Sequence, residues 1–170
     1  MVMMIADFIL GRKDGGCPLF WPGAKYRADV EQYREFTSRA SNSLQTWVAI
    51  GGWSFSDPGA TRTAWTDMVS TEMSRSTFID SLVAFMTQYG FTGTDLDWEY
   101  PETESRGGRK GDAGNLVHLV KEMPAVFGSK FGISVTLAPD YWYLRGFKPK
   151  EMELSRNIAL TNYLLLTCRW

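Results

Sequence analysis

Strands alternating with helices at a pitch of roughly forty residues predict an α/β fold built on a parallel sheet, open or closed into a barrel. Three short segments carry this expectation: "TWVAIGG" at 46–52, "FTGTDLDWE" at 91–99 and "GISVTLAP" at 132–139. Each is bounded by glycine, proline or a polar turn, and each is followed or preceded by a stretch with helical periodicity.

Taken in chain order, "YRADVEQYREFTSRA" (26–40) reads as a helix leading into the first of these strands. "TWVAIGG" is rich in β-branched residues and closed by two glycines, as a buried strand would be. "WSFSDPGATRTAW" is a loop with a Pro-Gly pair. From Ser76 to Tyr89 apolar residues recur at Phe78, Leu82, Phe85 and Tyr89, flanked by Ile79, Val83 and Met86, and Gly90 supplies the stop. "NLVHLVKEMPAVFG" (115–128) is the next helix, with Asp112 near its start and Gly128 past its end. Pro124 is expected to remove a hydrogen bond and kink the last turn. "GISVTLAP" reads as apolar along its length, the pattern of a parallel strand covered on both faces. A further strand is expected at "NYLLLTC" (162–168). His118 falls within a helix and reads as a surface or packing residue.

The chain of 170 residues has a formal net charge of −1, so one globular domain is expected. Its basic residues are scattered apart from Arg106, Arg109 and Lys110, which leaves no field for nucleic acid or anionic lipid. The apolar runs are too short to span a bilayer, and an integral membrane protein is not expected. "MVMMIADFILG" lacks the basic start and small-residue cleavage site of a secretory signal. Cys17 and Cys168 make no metal-type spacing; two free thiols are expected, with one long-loop disulfide as the alternative.

The feature that ordinary folding does not explain is the row Asp95, Asp97 and Glu99. Acidic residues disfavour strands, and like charges on one face repel. Residues two apart share a face, so the three carboxylates align while Leu96 and Trp98 turn the other way. Glu99 stands at the carboxyl end of a parallel strand, beside Pro101, where α/β folds place their sites. Crowded carboxylates raise the pKa of at least one member, giving a proton donor with an ionised partner beside it. A Mg²⁺ or Ca²⁺ site is the competing chemistry, and it needs further oxygen ligands that no other strand end offers. No cofactor and no metal are expected.

"GFTGTDLDWEYP" resembles the active-site signature of glycoside hydrolase family 18, the chitinases, with its Asp-Gly-x-Asp-x-Asp-x-Glu pattern often followed by Tyr-Pro. "VAIGGWSFSD" (48–57) is similar to the preceding Ser-x-Gly-Gly strand of that family. "RGGR" and "GISVTLAPDYWYLRGF" resemble its fungal, killer-toxin-like branch, and the likeness runs from about Tyr26 to Phe147. Thr92 and Ala49 depart from the pattern, standing where the first aspartate of the signature and the serine of Ser-x-Gly-Gly would be.

The resemblance implies a partial TIM (β/α)₈ barrel, strands three to five with their helices, in a single domain over 1–170 that is truncated at both ends, with a recognisable core at 26–147. It implies endo-hydrolysis of β-1,4-linked N-acetylglucosamine in chitin or chito-oligosaccharides, by a substrate-assisted retaining mechanism that needs no protein nucleophile. Glu99 then matches the general acid, Asp97 the aspartate that orients the substrate acetamide, and Asp95 the one behind it. Gly52, Trp53, Tyr100, Tyr141 and Trp142 match substrate-binding positions, and the family is typically extracellular. An inactive fragment and a chitin-binding, lectin-like relative remain the alternatives; such relatives usually lose the glutamate, and Glu99 is present.

Overall fold

The computed structural model describes residues 2–5, 29–38, 45–152 and 158–162. Cys17, Cys168 and all of "NYLLLTC" after Asn162 lie outside the described residues. Five strands form one sheet: β1 (Val2–Ile5), β2 (Trp47–Gly51), β3 (Gly93–Asp97), β4 (Gly132–Leu137) and β5 (Ile158–Asn162). Every neighbouring pair is parallel and the spatial order is the sequence order, β1-β2-β3-β4-β5. The sequence-based expectation leaves out β1, which falls inside "MVMMIADF", and also β5, which ends where "NYLLLTC" begins. Among the described residues, Ile158–Asn162 pairs with β4. "IALTN" is short and half polar and sits beside the stronger apolar run of "YLLL", which is why it does not stand out in the sequence.

Sequential parallel order has a geometric consequence. Crossovers between parallel strands are right-handed, so each connecting helix returns on the same side, and the sheet keeps one covered face and one face free of helices. The covered face buries Val48, Ile50, Leu96, Ile133 and Val135 against α2 (Ala64–Val69), α3 (Glu72–Tyr89) and α4 (Asp112–Phe127). Leu82, Met86, Leu116 and Met123 fill the space between. A helix before β2, α1 (Asp29–Ser38), adds Tyr33 edge-on to Phe85 and Tyr89, at 5.5 and 5.4 Å.

The helix boundaries follow local chemistry. α3 begins at Glu72, earlier than the apolar period indicates, because Thr71 and Ser74 make a reciprocal capping box. Gly90, at φ 80°, ends it. α4 runs through Pro124 to Phe127, and Gly128 N–H donates to Pro124 O at 3.0 Å. Arg75 of α3 is buried and reaches Glu122 of α4 through Nε and Nη2, at 2.9 and 2.7 Å to its two oxygens, which locks the two helices side by side. His118 is exposed on α4.

Candidate active site

The alternation of β3 separates its chemistry. Leu96 and Trp98 enter the core, where Trp98 stacks on Trp65 at 5.6 Å and 10°. Asp95 and Asp97 point to the opposite face, as period two requires. Asp95 accepts hydrogen bonds from Ser134 Oγ and from Thr136 Oγ1, the latter at 2.8 Å. Both donors lie on β4, where Ser134 is the register partner of Asp95. This corrects the reading of that strand as wholly apolar, which passed over two polar residues spaced by two, the signal that they share a face with each other; the register with β3 makes that face the one of Asp95.

Asp97 is 4 % exposed, and its Oδ1 has no hydrogen-bond partner among the described residues. Burial, followed by the charges of Glu99 and Asp95, raises its carboxyl to a pKa of about 7. Glu99 lies two residues beyond β3, half-buried. Burial raises its pKa as well, against a hydrogen bond from Tyr100 and the positive charge of Arg106, which lower it. The Tyr100 hydroxyl is pushed up by its burial and then by the charge of Glu99. The peptide joining Glu99 to Tyr100 is cis.

The two glycines that close β2 bring a second wall to this point. Gly51 has φ 105°, and a Cβ there would stand 2.2 Å from Asp97 O, so only glycine fits. Gly52 N–H donates to that same Asp97 O at 2.7 Å. The chain then turns through Trp53–Ser56 and leaves the Trp53 ring 53 % exposed, edge-on to Tyr100 at 6.4 Å.

Tyr100 is buried, stacked on Tyr143 at 4.3 Å and packed against Phe147. Tyr143 belongs to a one-turn helix, α5 (Tyr141–Leu144), capped by Asp140, which accepts from Tyr143 N–H at 3.0 Å. Tyr141 and Trp142 on that turn are 73 % and 69 % exposed. A cleft of about 660 Å³ opens here, lined by Pro101, Glu102, Thr103, Trp142, Tyr143 and Arg145 among others. Trp142 lines it and Tyr141 does not. Tyr143 links it to Tyr100, a role that the run of three aromatics left undetermined.

One residue of the neighbourhood escaped the sequence reading altogether. Arg106, noted there only as part of a small basic cluster, is 9 % exposed and donates through Nε to Glu99 O at 3.2 Å. Only its place in "RGGR" hinted at it. Among the described residues, no group of three or more His, Cys, Asp or Glu side chains is arranged to hold a metal ion.

A parallel sheet in sequential order, with helices on one face and a row of carboxylates running to the carboxyl end of β3 on the other, is the arrangement of a (β/α) barrel segment. The family model described as "Glycosyl hydrolases family 18" matches residues 18–159, and the chain belongs to that family. It is 35 % identical over 126 residues to an endochitinase of Manduca sexta, covering 73 % of this chain and 22 % of the relative. It is 31 % identical over 109 residues to the killer toxin subunits alpha/beta of Kluyveromyces lactis, covering 62 % of this chain and 10 % of that one. The fold matches catalytic domain 2 of the Group II chitinase of Ostrinia furnacalis at a TM-score of 0.73 and 24 % identity, covering 94 % of this chain and 42 % of that one. A mutant of the same domain in complex with a chito-oligosaccharide, (NAG)5, matches at 0.67 and 26 % identity, over 78 % and 36 % of the two chains. The chain thus spans about a fifth of the Manduca sexta relative and under half of the solved domain.

Proposed function

We propose that this chain carries the proton-donating wall of a chitinase site, for endo-hydrolysis of β-1,4-linked N-acetylglucosamine in chitin or chito-oligosaccharides. The observation that carries the reading is the carboxylate row on β3. Asp95 is fully bonded, Asp97 is buried with one oxygen free, and Glu99 stands at the strand end. Family membership and the chitinases among the relatives support the substrate class.

In this reading Glu99 donates its proton to the glycosidic oxygen, and burial supplies the raised pKa that keeps the proton available. The acetamide oxygen of the sugar attacks its own anomeric carbon as the leaving group departs with that proton, giving an oxazolinium ion. Asp97, with its unpartnered oxygen, holds the acetamide N–H and offsets the positive charge that develops there. Water then attacks the anomeric carbon and returns its proton to Glu99. Asp95 needs no contact with substrate: its two hydroxyl donors on β4 fix its carboxyl group in place behind Asp97. Trp53 and Trp142 are exposed aromatic faces suited to pyranose rings, and Gly52 lets the chain carrying Trp53 approach β3. Tyr100 contributes through its hydroxyl on Glu99, its ring being covered.

The deciding experiment is hydrolysis of a chromogenic chitotriose glycoside by the full-length protein and its Glu99→Gln variant. Turnover is expected in the first and absent in the second. Binding of chitotriose with no turnover by either would favour the lectin-like alternative.

A further inference from the structure

We infer that Arg106 is a positioning residue that fixes the proton donor and the aromatic wall relative to each other. The inference rests on Glu99 being the acid, and its test separates the two claims. The guanidinium meets two segments at once, through three hydrogen bonds. Nε donates to the Glu99 carbonyl at 3.2 Å, Nη1 to Asp57 Oδ1 at 2.7 Å, and Nη2 to the Trp53 carbonyl. Its plane also covers the Trp53 ring, with Cζ 3.8 Å from the centroid. One rigid fork therefore ties the residue after β3, the turn after β2 and the side chain of that turn.

Burial decides that these bonds matter. Arg106 is 9 % exposed, and its charge is met by two carbonyls and by Asp57, whose side chain is itself half-exposed. The carbonyl bonds and the stacking on Trp53, more than the half-exposed ion pair, hold the guanidinium in place. The turn that delivers it is specified locally: Gly107 has φ 80° and lies so close to Arg62 O that a Cβ would come within 2.1 Å. Thr103 O accepts from both Arg106 N and Gly108 N, at 2.9 Å each, closing the loop beneath the side chain. The loop from 102 to 111 is thereby folded so as to present one cation to the Glu99 backbone. Moving the Glu99 carbonyl moves its carboxyl by a comparable distance, and catalysis responds steeply to such displacement.

The test uses the full-length protein with Arg106→Lys, Arg106→Met, Trp53→Ala and the double variant Arg106→Met/Trp53→Ala, assayed on a chromogenic chitotriose glycoside. Lysine keeps the charge and the aliphatic stem but offers a point cation in place of a planar fork. A positioning role predicts that kcat per folded molecule falls by ~100-fold in Arg106→Met. Arg106→Lys is expected to fall by ~10-fold with an unshifted thermal midpoint. It also predicts that KM rises in Arg106→Met, and that this rise and that of Trp53→Ala do not add in the double variant, because both remove the same wall. Wild-type kcat and KM in Arg106→Lys would overturn the inference, as would losses that track only the unfolded fraction or that add fully in the double variant. Glu99→Gln, run alongside, reports on the acid assignment: an inactive Glu99→Gln with unimpaired Arg106 variants overturns the positioning role alone, and an active Glu99→Gln overturns both.

Discussion

Burial holds the Asp97 carboxyl near pH 7, so the native state keeps a proton that the unfolded chain, with an ordinary carboxylate, releases far lower. The folded-state pKa is the higher one. Between about pH 4 and pH 7 the native protein therefore binds more protons than the unfolded one, and stability falls as pH rises through that window. Asp97→Asn removes the penalty. Its unfolding free energy at pH 8 is expected to exceed that of wild type by on the order of 4 kcal/mol, read in denaturant unfolding, with a smaller gain at pH 5. The same variant should lose most of its chitotriose hydrolysis, since the acetamide loses its ionised partner; higher stability with full activity would separate Asp97 from the reaction. Asp95 gives the opposite case. Thr136→Val keeps the shape but leaves Asp95 Oδ2 without its donor, and a loss of about 1–3 kcal/mol is expected in denaturant unfolding.

At the scale of elements, the site depends on where strand ends meet. Gly51 lets β2 close on Asp97 O, and Gly51→Ala combines a positive φ with a direct clash against backbone. A loss above about 2 kcal/mol is expected, with activity lost even in the folded fraction, because Trp53 is carried on the displaced chain. Thr71 tests the reverse. Its capping box joins Thr71 to Ser74 and to no residue of the carboxylate row, so Thr71→Ala should cost about 1 kcal/mol in thermal unfolding and leave kcat unchanged. If Thr71→Ala altered kcat, the helices would be coupled to the site more tightly than the packing indicates. α5 shows how much an element adds beyond its residues. Three aromatics in a row fall on one short turn, so Tyr143 turns inward onto Tyr100 while Tyr141 and Trp142 stay outside.

For the whole molecule, the sheet buries its apolar face under three helices while β1 and β5 form its two edges among the described residues. Open parallel edges present unpaired backbone groups to any neighbouring chain. Residues 1–170 expressed alone are expected to melt cooperatively around β2–β4, and to show light scattering that rises with concentration. A broad, non-cooperative transition would mean that the core under α2–α4 is insufficient by itself. Much of this architecture was legible in advance, because β2, β3, α3, α4 and β4 announce themselves by period and by glycine or proline stops. β1 and β5 were not: "VMMI" sits in an apolar stretch with no alternation or nearby stop to mark it, and "IALTN" is overshadowed by the stronger apolar run of "YLLL". The carboxylates of β3 declared the site through a conflict between charge and strand propensity. Ser134 and Thr136 were hidden because their meaning exists only once β4 lies beside β3. Chain sequence alone determined which chemistry is present: an acid at a strand end, two aspartates behind it, two glycines before an exposed tryptophan. Tertiary structure decided which groups share a buried, low-dielectric space, and hence the pKa of Asp97, the partners of Asp95 and the reach of Arg106. Those quantities depend on distances between segments some forty to fifty residues apart, which local propensity does not encode.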